Sequence, residues 1–271
     1  MRETAIMYPP DLHVHSSLSG CAKREFGVEA VVDAALSNGL STIGLTNHLW
    51  RPEDFDELFD IALSAREVGR KRGLNVLLSA EVEVFGADAE PSILPEQAAR
   101  LDYVLFASGH LHLAHVRKPE KRTKAALIDY LHEMHLNICR HPLASAIAHP
   151  WQMGSRTNEG QGFPPTTADD MPADLLEEFG RLARETQTAI ELNCGVLRPQ
   201  DDGLPACADR LLRVLEFTAP QGPDFMLGSD AHDATALNRI PLMNELMPHI
   251  GLSADRLVVP RRIVLSESRD R

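Results

Sequence analysis

The sequence predicts a single-domain α/β protein whose parallel strands form a closed or nearly closed barrel. Three observations predict it. Seven short apolar segments recur along the chain, amphipathic helical segments separate them, and 271 residues suffice for one large core. Continuous apolar strands that alternate with helices are typical of βα units, in which helices cover both faces of a parallel sheet. We therefore assign residues 1–271 to one domain.

The strand and helix segments follow one another in a regular order. Apolar and β-branched residues predict strands at 11–15, 42–48, 75–85, 103–110, 145–150, 189–193 and 225–232. Helical spacing of apolar residues predicts helices at 28–39, 54–73, 124–140 and 173–187. Gly39 and Gly73 stand where the end of a helix favours glycine. Residues 153–172 are rich in glycine, proline and threonine, and we interpret them as an active-site lid.

Charge and cysteine content argue against several function classes. The net charge of −12 repels nucleic acid and anionic lipid, so neither is expected as a partner. The four cysteines have no CxxC spacing and suit a reducing compartment. The N-terminal stretch "MRETAIMYPP" lacks the apolar region expected of a signal peptide, and no apolar run approaches 18 residues. We expect a soluble, cytoplasmic protein, whose oligomeric state the sequence does not indicate.

Residue types that bind metals recur where the strands end. In a parallel barrel, the active site lies at the C-terminal ends of the strands. Every predicted strand carries such a residue there: His13 and His15, His48, Glu81, His110, His149, Glu191 with Asn193, and Asp230 with His232. Buried apolar strands rarely carry histidine, yet six of the 12 histidines stand at these ends. This placement predicts a metal site.

The order of these segments resembles that of a known family. "DLHVHS", "GLTNH", "SAEVE", "ASGH", "AHP" and "GSDAH" resemble the motifs of PHP (polymerase and histidinol phosphatase) phosphoesterases over nearly the whole chain. The resemblance implies a distorted (β/α)7, TIM-like barrel that holds two or three divalent ions of zinc, manganese or iron. It implies three metal sites, with these ligands: His13, His15, Glu81 and Asp230 for the first; the bridging Glu81, His110 and His149 for the second; His48 and His232 for the third.

Two positions depart from the family pattern. Asn47 stands where many members have aspartate, although its amide could still orient a ligand imidazole by accepting the second N–H. Cys21 stands where some members with three metals have histidine and others have glycine. As a thiolate ligand, Cys21 would favour zinc over manganese at the third site. An unligated Cys21 is the alternative, so two and three metals both remain open.

The resemblance implies hydrolysis of a small phosphate ester, as in a histidinol-phosphatase-like phosphomonoesterase. A hydroxide that bridges two metals would attack phosphorus, since paired cations lower the pKa of a shared water. Glu81 would fix the separation of the cations, and Asp230 would hold one of them. His232 or a metal-bound water would protonate the leaving group.

A phosphatase should also present cations to its small phosphorylated substrate. Arg198 lies in the loop after the sixth strand, and we predict that it contacts the phosphate. Arg117 and Lys118 belong to the basic segment "VRKPEKRTK" at 116–124, for which a solvated loop is the alternative. Arg51, which closely follows His48, is a further candidate.

Other interpretations remain open. A metal-dependent amidohydrolase also begins with HxH, but commonly bridges its metals with a modified lysine that ends strand four, where this chain has "FASGH". A metal-stabilised module without activity would be expected to lose ligands, and a phosphodiester or nucleotide is a close variant as substrate. Glu191 could support a ligand or form a structural salt bridge. His132 and His135 are predicted on a helix surface, and His112 and His115 in a loop.

Overall fold

Parallel strands run in sequence around the molecule. The structure is a computed structural model that describes residues 9–151, 161–197 and 209–264. Its strands are β1 (Asp11–Val14), β2 (Thr42–Leu45), β3 (His48–Leu49), β4 (Asn75–Leu78), β5 (Glu81–Glu83), β6 (Leu105–Ala107), β7 (Ala146–Ala148), β8 (Ala189–Asn193) and β9 (Phe225–Gly228). All seven predicted strand segments contain a strand, and two of them contain two.

The strands close into a barrel with seven positions. One sheet has the order β1-β2-β4 and the other β3-β5-β6-β7-β8-β9. Because β3 continues β2, and β5 continues β4 beyond a short break, the second sheet extends the first. The chain after β9 returns to β1, where the Asp230 amide donates to the His13 carbonyl (2.8 Å) and the His15 amide to the Ala231 carbonyl (2.9 Å). The predicted (β/α)7 barrel is confirmed. It is distorted by the break between β2 and β3 and by the break between β4 and β5.

Helices connect successive strands. They are α1 (Val28–Ser37), α2 (Phe55–Arg72), α3 (Pro95–Ala98), α4 (Lys124–Arg140), α5 (Ala173–Thr186), α6 (Asp209–Thr218) and α7 (Arg239–Leu246). Short 3₁₀ turns lie at Pro52–Asp54, Ala168–Asp170, Cys194–Val196, Ala219–Gln221, Ala236–Asn238, Met247–Ile250 and Ala254–Arg256. Helix α2 ends at Gly73, whose φ of 83° suits glycine. The Thr123 hydroxyl accepts the Ala126 amide (3.2 Å) and caps α4. Helices α3, α6 and α7 were not predicted.

Packed side chains fill the barrel interior below the strand ends. A buried cluster, distinct from the larger core, comprises Leu12, Tyr103, Leu105, Ala146, Ala148, Ala189 and Met226. Gly44 is needed beside it, because the Tyr103 hydroxyl occupies the space of a β-carbon there. Leu12 and Ala148 directly precede His13 and His149. Polar side chains at the strand ends therefore lie on a packed apolar floor.

The predicted lid at 153–172 falls partly outside the described residues. In its described part, Asp170 accepts hydrogen bonds from the Lys124 ammonium group at the start of α4 (2.9 Å). The interpretation as a lid stays a prediction, as does the assignment of residues 1–271 to one domain. Among the described residues, no helix is long and apolar enough to cross a membrane.

Candidate metal centre

The predicted ligand side chains lie together at the carboxyl ends of the strands. His13 and His15 stand at the end of β1, His48 begins β3, and Glu81 begins β5. His110 follows β6, His149 follows β7, and Asp230 and His232 follow β9. His13 and His15 are 0% exposed and Glu81 1%, so their charges and lone pairs must be balanced inside the protein.

Four atoms with lone pairs converge from β1, β5 and the turn after β9. His13 Nε2 lies 3.1 Å from His15 Nε2. Asp230 Oδ1 lies 3.5 Å from the first of these nitrogens and 3.2 Å from the second. Glu81 Oε2 lies 3.5 and 3.4 Å from the same two atoms. Neighbouring ligands of a divalent ion with bonds of about 2.0–2.2 Å lie about 3–3.5 Å apart, so this set fits one metal ion.

The hydrogen bonds behind these two imidazoles fix their tautomers. His13 Nδ1 lies 2.6 Å from Glu191 Oε1. His15 Nδ1 lies 3.1 Å from Ser19 Oγ, which donates its own proton to Asn47 Oδ1 (3.0 Å) and therefore accepts from the imidazole. Both rings carry a proton on Nδ1 and turn Nε2 towards the centre, as metal-binding histidines do. Asn47 thus orients His15 through Ser19 and not by direct contact.

Glu81 faces two groups of histidines with its two oxygens. Oε2 lies 2.8 Å from His48 Nδ1, on the side of His13 and His15. Oε1 lies 2.9 Å from His149 Nε2 and 3.8 Å from His110 Nε2. Although buried, Oε2 forms no hydrogen bond of adequate geometry with the described residues. A carboxylate that bridges two cations would satisfy both oxygens.

His110 has a carboxylate partner that the sequence analysis did not single out. Its Nδ1 lies 2.8 Å from Glu83 Oε2, which leaves Nε2 for the centre. Glu83 is 2% exposed and follows Glu81 by two residues on β5, so the two carboxylates leave the same face of the strand. The spacing in "EVE" was the signal available in the sequence.

Glu191 supports two of the predicted ligands. Besides its contact with His13, it accepts a hydrogen bond from the backbone amide of His149 (2.5 Å). Of the two alternatives for Glu191, the structure favours support of a ligand. Gly228 makes this arrangement possible, because Glu191 and His13 occupy the space that a β-carbon would need.

A third group of side chains lies beside Glu81. Ligand atoms of His15, His48 and His232 all lie within 4.8 Å of one another. His232 Nδ1 donates to the Asp230 carbonyl (2.8 Å), so its Nε2 faces Cys21 Sγ at 3.0 Å. Burial raises the pKa of Cys21, but hydrogen bonds with His232 and His48 lower it to about 6 overall. The structure therefore places a readily ionised thiol next to the predicted third set.

The carboxylates and imidazoles shift the pKa values of one another. Burial raises the pKa of Glu81, whereas the charges of His48 and His13 hold it well below its usual value. Burial lowers the pKa of His48, but Glu81 and Cys21 raise it to about 10 overall. Burial lowers the pKa of His15 to about 3. Glu81 is therefore ionised, and a metal would compete with protons for the surrounding imidazoles.

Two of the ligand positions adopt unusual backbone conformations. His149 has a φ of 31° and Asp230 has a φ of 52°. Both values lie in the left-handed region, which residues other than glycine rarely occupy. Their amides are held by Glu191 and by the His13 carbonyl, respectively. Such conformations persist where the surroundings impose them, and they cluster at functional sites.

A family model of the PHP domain matches residues 11–194. The chain belongs to the PHP family. The match spans most of the barrel from β1 to the end of β8, and Asp230 and His232 lie beyond it. The predicted resemblance is confirmed. Membership in the PHP family indicates a metal-dependent hydrolase, and the clustered histidine and glutamate side chains could bind the metals.

Other comparisons add little to this assignment. No curated protein matches the sequence. Similar solved structures include a Xaa-Pro dipeptidase with bound methionine, at 12% identity and a TM-score of 0.43, over 90% of this chain and 72% of that one. Dihydrodipicolinate synthase from Agrobacterium tumefaciens gives 13% identity and a TM-score of 0.35, over 91% and 76%. The carboxyl transferase domain of Rhizobium etli pyruvate carboxylase has 10% identity and a TM-score of 0.38, over 88% of this chain and 39% of that one.

The basic residues predicted to bind phosphate have other partners in this PHP protein, where the structure describes them. The Arg51 guanidinium binds Asp54 (2.9 Å). Arg117 binds both Asp88 (2.5 Å) and Glu90 (2.9 Å) at the surface. The ammonium group of Lys118 donates to two carbonyls of its own loop (2.8 and 3.0 Å). Each of these three cations already has partners elsewhere, which argues against the predicted contacts with phosphate, and Arg198 lies outside the described residues.

Two cavities meet at the metal centre. One, of about 320 Å³, is lined by Ser108, Gly109, His110, His112, His149, Asn193, Gly195, Val196, Asp230 and Arg239, and we call it the Arg239 cavity. The other, of about 410 Å³, is lined by Gly20, Cys21, His48, Trp50, Glu81, His110, His112, Leu113, His149, Asp230 and His232, and we call it the Trp50 cavity. Sequence reasoning missed Arg239 because the turn and helix after β9 were not predicted.

His135 also differs from its prediction. It is 0% exposed, so it does not lie on a helix surface. Its ring packs against Trp151 (4.8 Å between centroids) and Phe179 (5.3 Å). Its Nε2 lies 3.1 Å from Ser108 Oγ, one residue from the end of β6. His135 therefore belongs to the packing behind the centre, whereas His112 lines both cavities.

Proposed function

We propose that this PHP protein is a phosphomonoesterase that hydrolyses a small phosphate ester with two or three bound divalent metal ions. The observation that carries the proposal is the position of Glu81, whose two oxygens face separate groups of histidines. One carboxylate between two cations keeps them close together. A phosphoryl group has several anionic oxygens that paired cations can neutralise, which makes a phosphate ester the substrate that such a centre suits best.

The side chains of the centre have distinct parts in this proposal. Bound metals would supply a nucleophilic hydroxide near neutral pH and neutralise charge on the phosphoryl group. His13, His15, Glu81 and Asp230 would hold one metal; Glu81, His110 and His149 would hold a second. Glu191 and Glu83 keep protons on Nδ1 of His13 and His110, so that each Nε2 lone pair faces the centre.

The third site rests on Cys21, His48 and His232. In its two predicted roles, His232 would need the same Nε2 atom, either to hold a metal or to protonate the leaving group. The contact of that atom with Cys21 supports the role of a ligand. A thiolate beside imidazoles suits zinc. Arg198 remains our proposed contact for the transferred phosphoryl group.

Hydrolysis of a phosphodiester is a second candidate. The Arg239 cavity and the Trp50 cavity both open on the centre, so a phosphorus atom there could carry a group on each side. A nucleotide diester would suit this arrangement, since Trp50 offers an aromatic ring at the second cavity.

Metal analysis and a comparison of three nitrophenyl compounds test the proposal. We expect elemental analysis to find two or three metal equivalents, and Cys21→Ser to lose the third while keeping the others. Reloaded protein should hydrolyse para-nitrophenyl phosphate faster than bis(para-nitrophenyl) phosphate and leave para-nitroacetanilide intact. Faster cleavage of the diester would favour the second candidate, and cleavage of the anilide alone would favour an amidohydrolase. Metal-free protein that no added ion activates would contradict both phosphoesterase candidates.

A further inference from the structure

The Arg239 cavity contains one cation that the metal centre does not use. Arg239 begins α7 and is partly buried, and its guanidinium donates to the Gly195 carbonyl (3.1 Å). Across residues 9–151, 161–197 and 209–264, no carboxylate pairs with it. Arg51 and Arg117, by contrast, each have an acidic partner. The charge of Arg239 is therefore available to a ligand in the cavity.

The guanidinium is connected to the predicted metal ligand Asp230 through other residues, and not by a direct hydrogen bond. Asp230 Oδ2 lies 3.4 Å from Asn193 Nδ2, and Asn193 Oδ1 accepts the amide of Gly195 (2.8 Å). The Gly195 carbonyl then accepts from Arg239. Two residues thus stand between the metal ligand Asp230 and Arg239 in this series of hydrogen bonds. A phosphoryl group on the metals would leave Arg239 to another part of the substrate.

The rest of the cavity wall suits a small anion. Its volume of about 320 Å³ is at the lower end for ligand sites, so the leaving group is small. Asp230 is its one lining carboxylate in the described part of the chain, and that group would be neutralised by the first metal. Ser108, Asn193 and His112 add neutral or positive polar groups. The wall would repel a cationic leaving group and attract an anionic one.

We infer that the Arg239 cavity binds a second anionic group of the substrate, a carboxylate or a second phosphate carried by the leaving group. Arg239 supplies the cation through charge-assisted hydrogen bonds. The inference rests on the proposed phosphoesterase function and restricts its substrates to esters with two anionic ends. It disfavours esters of amino alcohols, such as histidinol phosphate, whose ammonium group would meet the guanidinium.

Matched esters test the inference. We expect the metal-loaded protein to hydrolyse 3-phosphoglycerate, and propane-1,3-diol bisphosphate, with higher kcat/KM than glycerol 3-phosphate, and histidinol phosphate with lower kcat/KM. Arg239→Ala should reduce the preference for 3-phosphoglycerate over glycerol 3-phosphate by about 10- to 150-fold, the loss expected for a charged hydrogen bond. Arg239→Lys should restore part of that preference, because it keeps the charge without the forked geometry. Arg70→Ala, which removes an arginine that is paired with Glu67 on the surface of α2, is the matched control.

A binding measurement separates this inference from the proposed function. Calorimetry would compare 3-phosphonopropanoate with 3-hydroxypropylphosphonate, which lacks the carboxylate, on metal-loaded parent and Arg239→Ala. A preference for the carboxylate that disappears in Arg239→Ala supports the inference even if no ester is hydrolysed. Equal losses for both phosphonates and both esters would overturn it, because Arg239 would then serve the transferred phosphoryl group or the fold. An unchanged preference in Arg239→Ala would overturn it as well.

Discussion

The metal centre and the basic residues around it lie at the same end of the barrel but are held in different ways. Ligand side chains leave the ends of strands, are buried or partly buried, and have partners behind them, as His13 has Glu191. The predicted phosphate-binding cations leave loops, and Arg117 forms ion pairs with Asp88 and Glu90. The pairing of the strands fixes the positions of side chains at their ends, whereas a cation on a loop forms an ion pair with a nearby carboxylate. This difference explains why one prediction placed its residues together and the other did not.

The largest expected effect contrasts Glu81→Gln with Arg117→Ala. Glu81→Gln should lower hydrolysis of the best phosphate ester by more than about 100-fold, because changing only the partners of metal ligands already costs about 10- to 100-fold. A neutral amide cannot balance two cations, so bound metal should also fall. Arg117→Ala should change neither quantity by more than about twofold, since surface ion pairs contribute little.

Both variants must be shown to fold, for which circular dichroism of the loaded proteins suffices. Elemental analysis and steady-state kinetics then give the two readouts. Near-normal turnover in Glu81→Gln would mean that another carboxylate bridges the metals, and Glu191 would be the next to test. A large loss in Arg117→Ala would place the basic segment 116–124 back at the substrate.

A smaller effect is expected behind the ligands. Glu191→Gln should weaken metal binding by about 10- to 100-fold, because an amide is a poorer acceptor for His13 Nδ1 and its NH₂ cannot accept from the His149 amide. Competition with a chelator of known affinity measures the change. Asp88→Asn is the matched control, since it alters an acidic residue that binds Arg117 at the surface. Equal affinities for Glu191→Gln and parent would reduce Glu191 to a packing role.

The fold and most of the centre were predictable because they depend on periodicity and strand order. The apolar segments predicted all seven strand positions. The polar residue at the end of each segment then lies at the carboxyl end of the barrel. The sequence contained no signal for the breaks after Leu45 and Leu78, or for the left-handed conformation of Asp230, since these depend on contacts across the barrel. Arg239 was missed for the same reason, as only the packing of α7 brings it to a cavity.

The burial of His135 was also not predictable from the sequence. Its position in "LHEMH" predicted an exposed residue, because histidine on an amphipathic helix is more often at the surface than in the core. Buried helix residues such as Leu131 and Met134 define the inner face, and His135 extends it towards Trp151. Histidine can serve as a packed neutral ring, and neither spacing nor residue type distinguishes that use from ligation. Acid titration distinguishes a packed neutral histidine from a ligand histidine, because the two kinds bind protons differently.

The smallest expected effect is on stability in acid. Burial lowers the pKa of His135 from 6.5 to about 3. Its Nε2 donates to Ser108 Oγ, which donates in turn to the Ala148 carbonyl, while the buried Nδ1 has no partner among the described residues. The folded protein thus binds fewer protons than the unfolded chain between pH 6.5 and 3. The stability that neutral His135 provides is complete above pH 6.5 and falls with decreasing pH by about 1.4 kcal/mol per unit.

His135→Gln removes this titration and keeps a donor for Ser108. Between pH 7 and pH 5, the parent should lose about 2 kcal/mol more unfolding free energy than the variant. Urea unfolding followed by circular dichroism measures both, and the shared contribution of the metal ligands cancels in the difference. His132→Gln is the control, because it removes a histidine from the same helix whose ring bonds to Glu178 (3.0 Å) and is not fully buried. If His135→Gln and parent lose the same free energy over this range, His135 is protonated in the folded protein and its Nδ1 has a partner, such as a water molecule.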